Sequence, residues 1–290
     1  MLEVIIIKVQ AMFSGVGESI LISLSLISML MVLEACSIGW QQSSMRMLLR
    51  GGGTAWTDVV SALLVLSNLA LIIGTALSFG LIYVLQAWFK QHLDMHWLGH
   101  IESPWLAYGI FIIVLDFSNY WVHRWMHRYA ILWELHKFHH SATEMTMFTA
   151  LRDHPLERVV AHGINAIPAA LLGVPPQQYI LAYLALQALG YLKHSNWCTN
   201  WGWFGRWVVQ SPAAHRLHHS NHSEHHDCNF SSILQIWDIF FSTSRHPTAT
   251  EARNVKLGLM DGDNFPMSPL GALVAVVRDF YIRIFHAFLR

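Results

Sequence analysis

Residues 116–141 read DFSNYWVHRWMHRYAILWELHKFHHS, and the order of residue types in this stretch decides what fold can hold it. It opens as the end of an apolar, membrane-length segment and passes without a break into histidine-rich sequence. His123 and His127 are four apart, so on a helix they lie one above the other on one face. His136, His139 and His140 follow as HxxHH, where the first histidine shares a face with either of the other two. Neutral imidazole is a common ligand for iron, zinc and copper. Five histidines within the eighteen residues from His123 to His140 exceed the needs of one ion. The stretch therefore predicts a site for more than one metal, at a membrane surface.

Composition points the same way. Of 290 residues, 54% are hydrophobic and only 12% charged, whereas charged residues make up about a quarter of a soluble domain. An integral membrane protein is expected. Lys plus Arg and Asp plus Glu both number 18, so no basic field suggests nucleic acid. Three cysteines without a CxxC pair indicate neither a disulfide framework nor a thiolate metal site. Histidine is the unusual count, at 19, with fifteen between His123 and His246. The N-terminal MLEVIIIKVQ carries an early acidic residue and no basic region before a cleavage site, so a cleaved signal is not expected.

The hydropathy pattern predicts an all-α, polytopic membrane fold. Spans are read at about 19–40, 58–89 and 104–121, the last opening at Pro104, which suits a first helical turn. Glu34, near the end of the first span, is expected to reach the interface. Residues 157–192 are mostly apolar but broken at Gly173-Val174-Pro175-Pro176, which reads as a helical hairpin. Each arm, about sixteen residues or ~24 Å, is marginal for spanning. Tryptophan-rich 200–209 reads as an interfacial helix, and 269–290 as a segment on the membrane surface. The expectation is four to five membrane helices and a cytoplasmic, histidine-rich helical cap. It divides into N-terminal membrane helices (1–103), a histidine core (104–246) and a C-terminal interfacial segment (247–290). With the histidines cytoplasmic, Arg46 and Arg50 share their side and only Lys8 and Lys90 oppose them, as the positive-inside rule requires.

A second cluster answers the first. His194 ends an apolar helix in YLKHSN, and His215, His218 and His219 repeat HxxHH in PAAHRLHHS. The hairpin between them leaves and returns to one membrane face, so it can bring the clusters together. Together these are nine candidate ligands, enough for two ions, although nitrogen donors alone do not choose the metal. His92, His96, His100, His162, His246 and His286 read as surface or capping groups; His154, His222, His225 and His226 stay open. Carboxylates that could orient imidazoles through the free ring N–H are Asp116, Asp153, Glu157, Asp227 and Asp238. Asp153 and Asp227 are favoured by their nearness to ligands, with Asn229 grouped beside them. Trp121, Trp125, Trp133 and Trp197 read as an interfacial belt.

These motifs make the chain resemble the fatty acid hydroxylase/sterol desaturase superfamily of integral-membrane non-haem di-iron enzymes. The resemblance rests on DFSNYWVHRWMH, LWELHKFHHS, LRDHPLE, HSN, PAAHRLHHS and HDCNFSSILQIWDIFFST, within about 110–245. It implies two irons bound by His123, His127, His136, His139, His140, His194, His215, His218 and His219, facing the cytoplasm of a bacterial inner or ER-type membrane. It also implies molecular oxygen as co-substrate, a lipid substrate (sterol, fatty acyl or ether lipid) and electrons from an external ferredoxin- or cytochrome-type donor. The chain departs from the family where Asn229-Phe230-Ser231 replaces Asn-Tyr-Gly and Phe241-Ser242-Thr243 replaces Phe-Gly-Thr. A competing reading is a histidine-rich membrane metal transporter or metal-storage protein. Such a transporter should carry ionisable residues within its spans, and the first two hold almost none beyond Glu34.

Overall fold

The computed structural model describes residues 16–70, 72–73, 88, 91–93, 98, 101–173, 176–260 and 263–289. Among these the named elements are all helical: α1 (Val16–Ile38), α2 (Ser44–Arg50), α3 (Ala55–Leu66), α4 (Pro104–Arg128), α5 (Ala130–His140), α6 (Pro155–Leu172), α7 (Pro176–Lys193), α8 (Gly202–Trp207), α9 (Pro212–His218), α10 (Ile236–Phe240), α11 (Ala249–Asn254) and α12 (Pro269–Phe288), with short 3-10 turns between. Two stretches are long and apolar enough to cross a membrane, 20–38 in α1 and the whole of α4. Both leave apolar side chains outside the fold, Leu21, Met29 and Val32 on one, Trp105, Leu106 and Ile113 on the other. In water such faces would be a liability. The expected second span begins as α3; most of its remainder lies outside the described residues.

Helix α4 carries on past the expected end of the span near Trp121. Ser103 caps it by accepting from the Leu106 amide, Pro104 takes the first turn, and the helix runs 25 residues to Arg128. Nothing in NYWVHRWMHR breaks helix, so His123 and His127 ride on its last two turns. At ~1.5 Å per residue α4 is about 38 Å long, more than the ~30 Å apolar core of a bilayer.

The hairpin forms from α6 and α7, 18 residues each and so a little longer than expected. Gly173 ends α6 at φ 67, a left-handed conformation that glycine adopts without steric cost. Val174 and Pro175 lie outside the described residues. Pro168 sits inside α6, where it cannot donate to the preceding turn. The arms flank α4: Phe111 and Leu115 pack with Leu172 and Ala182.

Two expectations change. Glu34 does not reach the interface. It is fully buried, accepting from the Ser44 and Asn196 amides at 2.6 Å each and from Ser44 Oγ at 3.1 Å. A carboxylate with three donors is cheaper to bury than a bare one. Nor does α12 lie wholly on a membrane surface. Its Ala272 and Val276 pack with Leu135 and Phe138 of α5 and Leu156 of α6. Arg283 and Asp279 reach Glu134 and Lys137 at 2.8 and 2.7 Å. Small residues on one face of α12 allow that close approach, while Leu270, Val274 and Phe288 stay exposed.

Candidate metal centre

The nine expected histidines converge in two groups. His123, His127, His136, His140 and His218 form one; His139, His194, His215 and His219 form the other, and within each the candidate ligand atoms all lie within 4.8 Å of one another. Each HxxHH box is split. The i, i+4 pair of α5, His136 and His140, faces the first group while His139 turns to the second. The i, i+4 pair His215 and His219 faces the second while His218 crosses to the first. The groups abut, with the His140 and His219 rings stacked at 4.4 Å. The hairpin begins at this site, where Glu157 meets His136, and ends at it, where His194 follows α7.

The Nε2 atoms point inward. In the first group all five are buried without a hydrogen-bond partner. In the second they form a chain of close contacts, His139–His194 at 3.3 Å, His194–His215 at 3.0 Å and His215–His219 at 3.2 Å. Donors ~2.1 Å from one ion would be about 3.0 Å apart in an octahedron and about 3.4 Å in a tetrahedron, so the spacing fits a metal. Five orphaned buried nitrogens otherwise cost desolvation with no return.

The outer nitrogens are held from behind. His136 Nδ1 lies 2.6 Å from Glu157 Oε1, His123 Nδ1 2.8 Å from the Phe230 carbonyl, His218 Nδ1 2.7 Å from the Cys228 carbonyl, and His194 Nδ1 2.8 Å from the Gly190 carbonyl. Each contact makes Nδ1 the protonated nitrogen and leaves Nε2 a free lone pair. The carboxylate on an imidazole is thus Glu157. Asp153, favoured by its nearness in sequence, instead binds Arg158 at 2.7 Å. It precedes α6, whereas Glu157 lies in the first turn of α6, facing α5. Asp227 likewise accepts from no imidazole among the described residues. Asn229 does support a ligand, through the backbone: its side chain donates to the Ala214 carbonyl at 2.9 Å and accepts from the Arg245 amide at 2.8 Å, fixing the loop whose Cys228 carbonyl holds His218. Asp238 takes the Phe230 and Ser231 amides at 2.8 and 2.9 Å, and Asp116 takes those of Ile233 and Leu234. Ser242, where the family favours glycine, adopts the glycine-like φ of 57, and the Thr243 amide after it is held by the Asp238 carbonyl at 2.8 Å.

The sequence reading misses Arg152. This fully buried guanidinium donates to the Phe138 carbonyl (2.9 Å), Ser141 Oγ (2.8 Å), the Thr54 carbonyl (3.1 Å) and Asp58 (2.8 Å). Phe138 and Ser141 bracket His139 and His140, so the pair clamps the end of α5 to α3. Of the histidines left open, His154 accepts from the Leu156 amide at α6, and His225 contacts Ser220 Oγ. Neither they nor His222, His226, His92, His162, His246 or His286 join either group; His96 and His100 lie outside the described residues. Trp133 is no remote belt residue, since its ring packs 5.2 Å from that of His127 and 5.5 Å from that of His140.

Burial, reinforced by neighbouring imidazoles, holds His139, His140, His215 and His219 well below the usual histidine range. Burial likewise pushes His194 and His218 down to about 3. They are neutral at pH 7, the form that binds metal. Among the described residues, cavities approach the site from two directions. One of about 230 Å³ lies among α4, α6 and α7 and touches Glu157 and Lys193, behind the imidazoles. The other, about 340 Å³, has His127, His140 and His218 in its wall.

Buried imidazoles in two abutting groups on a helical scaffold make a site that could hold metal ions. Residues 108–243 match the family model for fatty acid hydroxylase, and the relatives this region resembles fall in the fatty acid hydroxylase/sterol desaturase superfamily. It is 33% identical to alkylglycerol monooxygenase of Homo sapiens over 142 residues, 49% of this chain and 31% of that protein. Ornithine lipid hydroxylase OlsE of Rhizobium tropici is 24% identical over 208 residues, 70% of this chain and 61% of that one. Delta(7)-sterol 5(6)-desaturase ERG3B of Gibberella zeae is 27% identical over 172 residues, 56% and 52% of the two chains. The chain thus spans less than two thirds of each of these relatives. No solved structure gives a significant match.

Proposed function

We propose that the chain is an oxygen-dependent membrane oxidoreductase that hydroxylates or desaturates a lipid at two irons held by the nine imidazoles. The observation that carries this reading is the inward convergence of nine buried Nε2 atoms in two abutting groups of five and four. The similarity to a monooxygenase, a lipid hydroxylase and a sterol desaturase supports the reaction class and a sterol, fatty acyl or ether lipid as substrate.

The irons supply, when bound, the oxidising power drawn from oxygen that an unactivated C–H bond demands and acid–base groups lack. The chain's own residues do the rest. Glu157 and the Phe230, Cys228 and Gly190 carbonyls fix imidazole tautomers, while Trp133 and Phe230 pack on the rings and exclude water. The five and four imidazoles would each hold one of the irons. Electrons come from a separate ferredoxin- or cytochrome-type donor. We place α1 and α4 across the bilayer with the hairpin and the second span, and the histidines on the cytoplasmic face with Arg46 and Arg50.

Metal analysis and oxygen uptake of the purified protein test this. Two irons per chain and lipid-stimulated uptake are expected, abolished by His136→Ala or His218→Ala and kept by His246→Ala. Zinc accumulation without uptake would instead establish the transport or storage reading, and equal loss in all three variants would refute the site.

A further inference from the structure

The 340 Å³ cavity is bounded by the end of α4 and the start of α5, by His226 and Asp227, and by Gly258, Leu259, Met260 and Asp263. The other cavity meets no member of either imidazole group, so a molecule there would be separated from any metal by the rings themselves. The larger cavity opens directly on three imidazoles of the first group, and none of the second group lines it.

Its walls are pinned before anything binds. Asp227 sits at φ 56 and Asn229 at φ 56, conformations that Asp and Asn tolerate better than most residues. The loop between them is tied by the Cys228 thiol donating to the His225 carbonyl at 3.0 Å, by His218 and by Asn229. On the opposite wall the Gly258 amide donates to the His219 carbonyl at 3.3 Å, and the Asn221 amide to that of Lys256 at 2.9 Å. The loop that locks His218 thus also carries Asp227, which lines the cavity. Asp263 faces it from the other side, and neither carboxylate has a protein partner among the described residues.

We propose that this cavity is the docking site for the polar end of the substrate, with Asp227 and Asp263 as its recognition groups. The inference rests on the oxidoreductase reading for what happens next, not for the binding itself. Ionised carboxylates only accept hydrogen bonds, so the ligand must donate them, through hydroxyl or amine groups. The volume lies at the small end of ligand sites, ~300–1,000 Å³, and holds a polar end with a few methylenes rather than a whole lipid. Trp133, Leu259 and Met260 supply the apolar wall for those first carbons.

The test is calorimetric titration of the purified, metal-loaded full chain in detergent with a long-chain vicinal diol and, separately, its dimethyl ether, which has the same oxygens and no hydrogen-bond donor. The diol should bind and the ether bind at least tenfold more weakly. Asp227→Ala and Asp263→Ala should each weaken the diol about ten- to a hundredfold, as for a lost hydrogen bond to a charged group, with metal content unchanged. Asp227→Asn/Asp263→Asn together, which introduce N–H donors, should narrow the gap between diol and ether. Equal binding of both probes, or unchanged diol affinity in the alanine variants, overturns the proposal. Diol binding that depends on both aspartates in a protein without oxygen uptake would sink the oxidoreductase reading alone. Lipid-dependent uptake indifferent to both aspartates would sink this inference alone.

Discussion

His139 and His140 are consecutive in the chain, yet their imidazoles belong to different groups: His139 Nε2 lies 3.3 Å from His194, while the ring of His140 stands 4.7 Å from those of His127 and His218. One helix thus feeds both halves of the centre. His139→Ala and His140→Ala should each lower metal content toward one ion per chain, and the double variant should remove both. Elemental analysis of the purified variants decides this; full loss in either single variant would mean that the ions load only as a pair.

Glu157 governs His136 from behind. Removing a carboxylate that orients a ligating imidazole typically costs about 10–100-fold in metal affinity, so Glu157→Ala should weaken metal retention by that order in a chelator competition. Asp153→Ala, which frees only Arg158, should leave retention near wild type.

Arg152 and Asp58 form an ion pair with both side chains wholly buried. Removing one partner of such a pair strands the other charge and costs about 3–5 kcal/mol. Arg152→Met should therefore lower the unfolding free energy by that order and disorder the end of α5. Asp58→Leu/Arg152→Met should recover part of the loss. Denaturant melts of the four proteins in detergent complete the cycle.

Acid should destabilise the metal-free protein. His194 and His218 fall to about 3 in the folded chain, against ~6.5 when unfolded. Between these values the unfolded chain binds more protons, so stability rises with pH. It should be fully present above about pH 6.5 and drain away as pH falls toward about 3. A pH series of melts on chelated protein checks the sign; stability that is flat or higher in acid would contradict it.

Much of this centre is legible in the sequence because HxxxH and HxxHH are local signals: a helix of fixed pitch makes each set of neighbours without help from the rest of the fold. The hairpin is equally local, written in Gly173 and the prolines after it. What escapes depends on pieces distant in the chain. Which imidazole joins which group follows from how α5 and α9 cross. Arg152 finds Asp58 across 94 residues, and Glu34 finds Asn196 across 162. Choosing Asp153 over Glu157 treats proximity along the chain as proximity in space, and a single helical turn undoes it.

The exchange of partners between the boxes has a consequence for biosynthesis. Each group contains at least one imidazole from residues 215–219, so a nascent chain that has emerged only as far as the hairpin tip owns no finished pocket for either ion. Metal capture must then wait until the last quarter of translation. Prematurely terminated chains, however well inserted, should leave the ribosome empty-handed and remain visible to quality control.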